Sequence, residues 1–437
     1  MMQANCFQRI EKFVSPKIDL RPESLPPLAM GYVFEDLLRR FNEATNAEAG
    51  RHFTPREIIE LMTHLLFLPV KDKIQKGTFL VYDPCAGSGA MLTESKKYIT
   101  DEEGEIKSRA KIHLYGQENT PTIYAISKSD MLLKGEDPDK IVFGSTLSQY
   151  GFDKDLKFDF MLTNPPYGTS WSDDKKALSV GPKNSIVDPR FKVGCSRIND
   201  GQLMFVLHML SKMKDTELGS RIASVHNGSA LFTGDGGSSE SGIRRYIFEN
   251  DLLEAVIALP LEIFYNTGQP TYILLFANVK AKSRKNKVQL IKADSFFRRM
   301  TKALGNKKNE LTAEHINTIV ELYLNNSDNE YSKILPNNEF GYYTLSVKHS
   351  KDDFKEGFNI KDVEFIPLTS NIENYIQTEI MKYTPNAKPD LNSVKIGYSI
   401  NFLEYFHKAN SYRDLEMVIK DIKRLEEKSN GLLNNLL

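Results

Sequence analysis

The residues whose types best suggest chemistry are Asn164, Pro165, Pro166 and Tyr167, which follow the apolar run 158–163. The Asn164 side-chain oxygen and the Pro165 carbonyl are acceptors that can each take one N–H of a planar amine. These hydrogen bonds would aim the lone pair of the nitrogen at an electrophile, while Tyr167 would stack on the ring that carries the amine. A stiff strand-ending turn without chemistry has the same sequence pattern. The four residues alone therefore leave both interpretations open.

A glycine turn within residues 78–92 is the second feature, and it follows a short apolar run. The pattern predicts a buried strand, a turn and the start of a helix, as in doubly wound α/β sheets. It lacks the full dinucleotide and P-loop patterns, so pyrophosphate is not the expected ligand. Gly87 and Gly89 let the backbone approach a ligand, and the helix start near Ser88 offers free N–H groups. Asp83 at the strand tip can counter the charge of an amino-acid-like cofactor group.

Glu118 ends the next predicted strand, residues 111–118. A carboxylate at this position of such a sheet can accept hydrogen bonds from both hydroxyls of a ribose. A surface glutamate at a strand end is the competing interpretation. The order of glycine turn, Glu118 and Asn-Pro-Pro-Tyr is hard to obtain by chance. Together the three features predict an amino-methyltransferase that uses S-adenosylmethionine.

With these motifs the chain resembles the modification subunit of Type I restriction-modification systems, a DNA adenine N6-methyltransferase. The resemblance extends to the stretches 51–56, 200–205, 225–235, 242–247 and 257–260. It implies a Rossmann-like α/β methyltransferase with a seven-stranded, mostly parallel sheet and helical N- and C-terminal extensions. In the family, Asn164 to Tyr167 would form the adenine pocket. The Phe-Thr-Pro segment that helps to close over the cofactor would be Phe53, Thr54 and Pro55, with the neighbours Arg51, His52 and Arg56.

Two departures from the family pattern are visible. Relatives often carry an aspartate that contacts the cofactor's adenine, where this chain has Ser145 in the stretch 144–147. Ser145 is expected to make a weaker hydrogen bond, which raises a Michaelis constant rather than abolishing the reaction. The second departure is that the family's long helical N-terminal domain is represented only by a remnant, residues 1–49, with a predicted amphipathic helix at 28–41. Either a truncated or a naturally short subunit would be expected to bind the cofactor yet methylate poorly, and the sequence leaves these two cases open.

Composition sets further expectations. Lysine plus arginine and aspartate plus glutamate number 57 each among 437 residues. This neutrality counts against self-sufficient DNA binding and agrees with the family arrangement, in which a specificity subunit reads the sequence and a restriction subunit completes the complex. The basic stretch 280–287 and the pair Arg298-Arg299 remain candidate contacts to the DNA backbone, although most such clusters are solvated faces.

Disulfide-rich, metal-binding, secreted and membrane-spanning classes of protein are not expected. Three cysteines are too few for a disulfide framework or a zinc site, and the histidines form no pair with metal-ligand spacing, so no metal site is predicted. No apolar run reaches the roughly 18 residues of a membrane span, and no signal-peptide pattern is recognisable. These observations favour a cytoplasmic protein without membrane association.

The expected domains are the remnant 1–49, the catalytic domain 50–292 and a C-terminal region 293–437. Residues 253–259 and 271–277 are predicted to form a hairpin at the sheet edge. The polar stretch 168–199, which holds Trp171, is typical of a lid or a disordered loop; Trp171 would stack on DNA or simply pack. The last helix, within 412–428, has apolar residues at spacings of three and four. In the family such C-terminal helices contact the specificity subunit, and packing on the catalytic domain of the same chain is the less favoured alternative. The apolar residues here are Leu415, Val418, Ile419, Ile422 and Leu425.

Three functions remain open at this point. The first is the DNA adenine N6-methyltransferase subunit, with cytosine N4 as a residual alternative target. The second is an amino-methyltransferase of another planar amine, such as a protein glutamine amide or an RNA base. The third is a catalytically silent assembly subunit, suggested by Ser145 and the short N-terminus.

Overall fold

The computed structural model describes Ser24 and residues 54–182, 185–349, 361–407 and 415–428. Arg51, His52, Phe53 and the predicted helix 28–41 lie outside these ranges. The chain divides into two compact units, Met1–Asn401 and Phe402–Leu437. In the described residues, no helix combines the length and the apolar character that a bilayer crossing requires.

The larger unit contains strands and helices in alternation up to its middle, and mostly strands after that. The strands are β1 (Thr78–Asp83), β2 (Lys111–Glu118), β3 (Ile141–Phe143), β4 (Phe160–Thr163), β5 (Arg221–Asn227), β6 (Leu253–Ala258), β7 (Thr271–Ala277), β8 (Lys287–Lys292), β9 (Arg298–Leu304), β10 (Lys307–Glu310), β11 (Ser332–Pro336), β12 (Gly341–Lys348), β13 (Lys361–Pro367) and β14 (Lys388–Tyr398). The α-helices are α1 (Arg56–Phe67), α2 (Ala90–Thr100), α3 (Pro121–Leu133), α4 (Ser172–Leu178), α5 (Gln202–Ser211), α6 (Ser229–Phe232), α7 (Ser239–Glu249), α8 (Ala313–Asn325) and α9 (Ile372–Tyr375), and the smaller unit contains α10 (Leu415–Lys428).

Nine of the strands form one large sheet, in the order β11-β8-β6-β7-β5-β4-β1-β2-β3. β1 pairs in parallel with β2 and β4, β2 with β3, and β4 with β5. Strands β4 to β7 are buried along their whole length, as expected when helices cover both faces of a sheet. The predicted α/β fold with a mostly parallel sheet is confirmed: strands β1 to β7 are contiguous in it, from the edge strand β3 to β6, and β8 and β11 extend it beyond β6.

The predicted hairpin is present as β6 and β7, which pair in antiparallel fashion. It lies inside the sheet rather than at the edge, because β8 pairs in parallel with β6 and β11 pairs with β8. The large sheet thus continues to Pro336, past the expected end of the catalytic domain at residue 292. The division into 1–49, 50–292 and 293–437 stays a prediction.

Helix α1 covers one face of the sheet. Its apolar residues Ile58, Leu61, Met62 and Leu65 recur at spacings of three and four, so they share one helix face and enter the main core. Helix α8 packs against α1 and joins the same core. This packing fixes the start of α1, next to Thr54, relative to the strand ends that carry the candidate site.

Strands β12, β13 and β14 form a separate antiparallel sheet, in the order β13-β12-β14. It has a small core of its own, which includes Leu345, Val347 and Ile366. A second small sheet is the two-stranded ribbon of β9 and β10. Residues beyond 292 therefore contribute strands as well as helices.

Candidate active site

A cavity of about 390 Å³ opens where β1, β2, β3 and β4 end. These ends lie at one edge of the sheet, because the four strands run parallel. Ligand crevices of open α/β sheets lie at this edge. The residues predicted from sequence that line the cavity are Thr54, Asp83, Gly87, Ser88, Glu118, Ser145, Asn164 and Pro166; Pro55, Arg56, Gly89, Pro165 and Tyr167 adjoin these in the chain but are not part of the lining.

The glycine turn after β1 has backbone angles that favour glycine at two positions. Gly87 and Gly89 have φ angles of +54° and +83°, a region that favours glycine. A Cβ at Gly89 would lie 2.8 Å from Met131 Cε and 2.9 Å from Ser127 Oγ, so this position also has no room for a side chain. Gly89 directly precedes α2, which places the N–H groups of that helix start beside the cavity.

Glu118, the last residue of the neighbouring strand β2, is hydrogen-bonded to the glycine turn. Its Oε2 accepts a hydrogen bond from Gly87 N–H at 3.0 Å, and its Oε1 accepts one from Thr120 N–H at 2.8 Å. Each carboxylate oxygen has a further lone pair, so Glu118 can also accept from ligand hydroxyls. The structure thus brings Glu118 and the glycine turn together, as the sequence predicts.

Asp83 lies at the tip of β1 and is only 1% exposed. Its Oδ1 accepts a hydrogen bond from Cys85 N–H at 2.9 Å. Burial raises the pKa of Asp83 to about 7, and this effect outweighs the opposing hydrogen bonds. A cationic group in the cavity would stabilise the charged form of this carboxyl group.

Ser145 is partly exposed in the turn after β3. Its Oγ accepts a hydrogen bond from Leu147 N–H at 3.3 Å, and its own N–H donates to Gln149 Oε1 at 3.4 Å. Gln117 Nε2 donates to the Gly144 carbonyl at 3.0 Å, which ties this turn to the end of β2. Ser145 therefore lines the same cavity as Glu118, as expected from the sequence.

Asn164 follows β4 and projects a polar amide toward the cavity. Its Nδ2 donates a hydrogen bond to Thr54 Oγ1 at 3.1 Å. Its Oδ1 is buried and has no hydrogen-bond partner among the described residues. Thr54 thus holds the Asn164 amide in an orientation that leaves its Oδ1 free to accept a hydrogen bond from an amine N–H.

Tyr167 stands at the end of the turn. Burial raises the pKa of its phenol to about 12, and its hydroxyl is buried without a partner among the described residues. Pro165 is buried and Pro166 is exposed. The stacking of Tyr167 on a substrate ring stays a prediction.

A buried polar network holds the chain just after this turn. Gly168 N–H donates to Asp200 Oδ1 at 3.1 Å, and Asp200 Oδ2 accepts from Ser229 Oγ at 2.7 Å and from Gln202 Nε2 at 2.8 Å. Burial opposes the charge of Asp200, but the hydrogen bonds prevail and its pKa lies below the ordinary value. From sequence, residues 200–205 are recognisable only as a stretch that resembles the family, and these anchoring contacts are not predicted.

His226 is part of the same network. Its Nδ1 lies 3.0 Å from Gln202 Oε1, which can only accept, so the Nδ1 proton faces Gln202. Its Nε2 then accepts from Ser224 Oγ at 2.8 Å. Burial lowers the pKa of His226 to about 3, so the ring stays neutral and structural.

The stretch 168–199 contains α4 and is fastened to the cavity wall. Arg190 donates to the carbonyls of Thr146 at 2.8 Å and Leu147 at 2.7 Å, and it pairs with Asp188 at 2.7 Å. These carbonyls follow Ser145 directly, so Arg190 fixes the turn that forms one wall of the site. No sequence signal singled out Arg190, because both carbonyls are distant in the chain.

Trp171 is buried in this stretch, and its Nε1 donates to the Arg197 carbonyl at 2.9 Å. It also lines the cavity. The structure therefore agrees with the expectation that Trp171 packs inside the protein. Among the described residues, no group of histidine, cysteine, aspartate and glutamate side chains is arranged to hold a metal ion.

Comparisons with known proteins give the site a family context. The family model described as N-6 DNA methylase matches residues 28–380. The methylase subunit of the type I restriction enzyme MjaIX from Methanocaldococcus jannaschii is 27% identical over 325 residues, which cover 72% of this chain and 52% of that protein. The corresponding MpnII subunit from Mycoplasma pneumoniae is 26% identical over 389 residues, covering 84% and 66%.

Among solved structures, the methyltransferase subunit of a type I restriction-modification system from Streptococcus thermophilus is similar with a TM-score of 0.60 and 25% identity. The match covers 74% of this chain and 63% of that one. The chain spans about half the length of the first relatives it matches, 52%, 56% and 54%.

Proposed function

Because the chain belongs to the N-6 DNA methylase family, whose model matches residues 28–380, we propose that it transfers the methyl group of S-adenosylmethionine to adenine N6 in double-stranded DNA. It acts as the modification subunit of a Type I restriction-modification complex and so protects host DNA from restriction. The observation that carries this proposal is the buried, unpartnered Asn164 Oδ1, which lies on the same cavity as Glu118 and the glycine turn, all within the part of the chain that the structure describes.

The residues of the cavity fit the proposed cofactor. Its volume of about 390 Å³ is within the range of small-molecule sites. Glu118 suits ribose hydroxyls, Asp83 suits an ammonium group, and the N–H groups near Ser88 suit a carboxylate. Ser145 would bind the adenine, and it lies in the turn that Arg190 holds. Bound S-adenosylmethionine supplies an electrophilic methyl group on a sulfonium centre.

The protein's own part in transfer is to bind and orient the amine. Asn164 Oδ1 and the Pro165 carbonyl accept its two N–H groups, which directs the nitrogen lone pair toward the methyl donor. Methyl transfer from the sulfonium would leave an extra proton on the product nitrogen, and because that proton can pass to solvent, no side chain has to act as a strong base. The target base must first leave the duplex, which costs a few kcal/mol; a stack on Tyr167 and the amine hydrogen bonds offset that cost.

Sequence recognition would come from a separate specificity subunit, with a restriction subunit in the full complex. Helix α10 suits such a contact, because its apolar side chains Met417, Ile419, Ile422 and Leu425 are exposed. This surface includes three of the residues that the sequence marks for partner binding. The contact rests on the family resemblance and on this exposed apolar helix.

Mass spectrometry of genomic DNA tests the proposal. A host that expresses the chain together with its specificity subunit should accumulate N6-methyladenine, and the Asn164→Ala variant should not. Methylated cytosine N4 would change the target base. Methylation of protein or RNA in place of DNA would favour another amine substrate, and no methylated product with the partner present would favour a silent assembly subunit.

A further inference from the structure

The ribbon of β9 and β10 is a strongly basic surface element that the proposed chemistry does not use. Residues 298–310 contain five lysines and arginines and one glutamate, in a chain that is neutral as a whole. The side chains of β9 are exposed along nearly its whole length. A local cationic excess of this kind suits an anionic partner.

The ribbon lies at the catalytic edge of the large sheet. Asn306 N–H donates to the Tyr265 carbonyl at 3.0 Å, and Lys308 N–H donates to the Glu262 carbonyl at 2.8 Å, so the ribbon packs on the turn after β6. β6 and β5 both pair antiparallel with β7. The end of β6 therefore points the same way as the ends of β5 and β4, where Asn164 lies.

Lys307 fastens the ribbon next to the cavity. It is 3% exposed, forms an ion pair with Glu57 in the first turn of α1, and donates to the Asn309 carbonyl at 2.7 Å. Glu57 follows closely after Thr54, whose hydroxyl holds the Asn164 amide. The turn end of the ribbon and the amine-binding side chain are thus attached to the same helix start.

The exposed cations of the ribbon differ in the carboxylates with which they pair. Arg299 pairs with Glu262 at 2.7 Å, and Lys308 pairs with the same carboxylate. Arg298 and Lys302 are both exposed on β9 and do not contact Glu262. Arg298 is 67% exposed and pairs with Glu310 at 2.8 Å, and Lys302 has no ion-pair partner among the described residues. Exposed ion pairs contribute roughly 0–1 kcal/mol, so these cations can readily change partner.

We propose that the ribbon of β9 and β10 contacts the phosphate backbone of duplex DNA beside the extruded base, through Arg298 and Lys302. This inference rests on the proposed function, since it states how the same substrate is held. Phosphate contacts fix position without reading sequence, and a two-stranded ribbon matches the width of the major groove. A neutral subunit that relies on a partner for sequence recognition can thereby orient DNA at its own active site.

The test compares two double variants of the full chain that each remove two positive charges. R298Q/K302Q alters the ribbon. R109Q/K111Q alters exposed cations at the start of β2, at the opposite edge of the sheet, and is the matched control. The affinity for a fluorescently labelled duplex is measured by anisotropy over a range of salt concentrations, and the affinity for S-adenosylmethionine and the melting temperature are measured alongside.

The ribbon variant should bind the duplex at least several-fold more weakly, and its slope of log affinity against log salt should fall by about 2. The control, the cofactor affinity and the melting temperature should match the wild type. Equal slopes for the two variants, or a wild type that does not bind DNA, would overturn the inference.

Methylation separates this inference from the proposed function. If the wild type and the ribbon variant bind DNA equally and N6-methyladenine still forms with the partner, the ribbon inference fails and the function stands. If the ribbon variant loses its DNA contacts while the wild type forms no methylated DNA with the partner, the DNA contact stands and the methyltransferase proposal fails.

Discussion

The cavity has a cofactor half, lined by Asp83, the glycine turn, Glu118 and Ser145, and an amine half, lined by Asn164. The two halves differ in how far the protein itself provides hydrogen-bond partners for their polar atoms. In the cofactor half, both oxygens of Glu118 already accept backbone N–H groups, from Gly87 and Thr120. In the amine half, Asn164 Oδ1 is buried without a partner among the described residues, and so is the hydroxyl of Tyr167, which lies outside the cavity lining. A buried polar atom left unmet costs about 1–3 kcal/mol. The fold thus satisfies the Glu118 carboxylate by itself, whereas the Asn164 acceptor awaits its substrate.

Replacement of Asn164 by alanine should have the largest effect on activity. The substitution removes the acceptor that binds the amine, so kcat should fall by about 10² to 10³ or more, as for other lost electrostatic contacts to a reacting group. Cofactor affinity should stay nearly unchanged, because Asn164 holds no part of the cofactor half. Methylation kinetics and calorimetric titration with S-adenosylmethionine measure the two quantities.

The melting temperature of the same variant shows how much Asn164 contributes to stability. Because Asn164→Ala removes a buried acceptor that has no partner among the described residues, the melting temperature should not fall by more than the loss of the Thr54 hydrogen bond explains. A Thr54→Val control removes that bond alone. Strong loss of cofactor binding in Asn164→Ala would contradict the separation of the two halves.

Glu118→Gln should have the opposite profile. The glutamine side chain presents one oxygen and one NH₂ group, so it cannot accept from both Gly87 and Thr120 as Glu118 does. The melting temperature should fall, and cofactor affinity should drop by roughly 10- to 100-fold, as expected for hydrogen bonds to a charged group of about 1.5–3 kcal/mol. The value of kcat at saturating cofactor should change little. A variant with normal cofactor affinity and impaired kcat would remove Glu118 from the cofactor half.

How far the sequence predicts each half depends on the distance along the chain between contacting residues. Glu118, Asp83 and the glycine turn follow from strand periodicity and turn composition, which are local signals. Arg190 contacts the Leu147 carbonyl across 43 positions and Asp200 contacts Gly168 across 32, and neither partner leaves a local pattern. The interior position of β6 and β7 was missed for the same reason, because β8 and β11 extend the sheet through pairings that composition does not encode.

The pH dependence of cofactor affinity tests Asp83 in the cofactor half. Its pKa of about 7 in the free protein means that it is largely protonated below neutral pH. A cofactor ammonium group lowers that pKa, so binding releases a proton and affinity should rise with pH, by at most about tenfold per unit, until it levels off above about pH 7. Calorimetric titration in buffers of different ionisation enthalpy measures both the affinity and the proton release.

Asp83→Asn is the control for this dependence. An asparagine cannot titrate, so the variant should bind weakly and with an affinity that does not change through neutral pH. A wild-type affinity that falls as pH rises would contradict a cationic neighbour at Asp83.

Ser145→Asp should have the smallest effect, and it tests whether the cofactor half can bind S-adenosylmethionine more tightly. The family resemblance sets an aspartate where this chain has Ser145, and a charged acceptor forms hydrogen bonds roughly twice as strong as a neutral one. The new carboxylate can keep the bond that Ser145 Oγ accepts from Leu147 N–H, because aspartate side chains form the same kind of turn as serine. Cofactor affinity should therefore rise by roughly fivefold, equivalent to about 1 kcal/mol, while kcat stays the same. Weaker binding would mean that repulsion from Glu118 across the cavity outweighs the new hydrogen bond, and the serine would then be the better residue for this site.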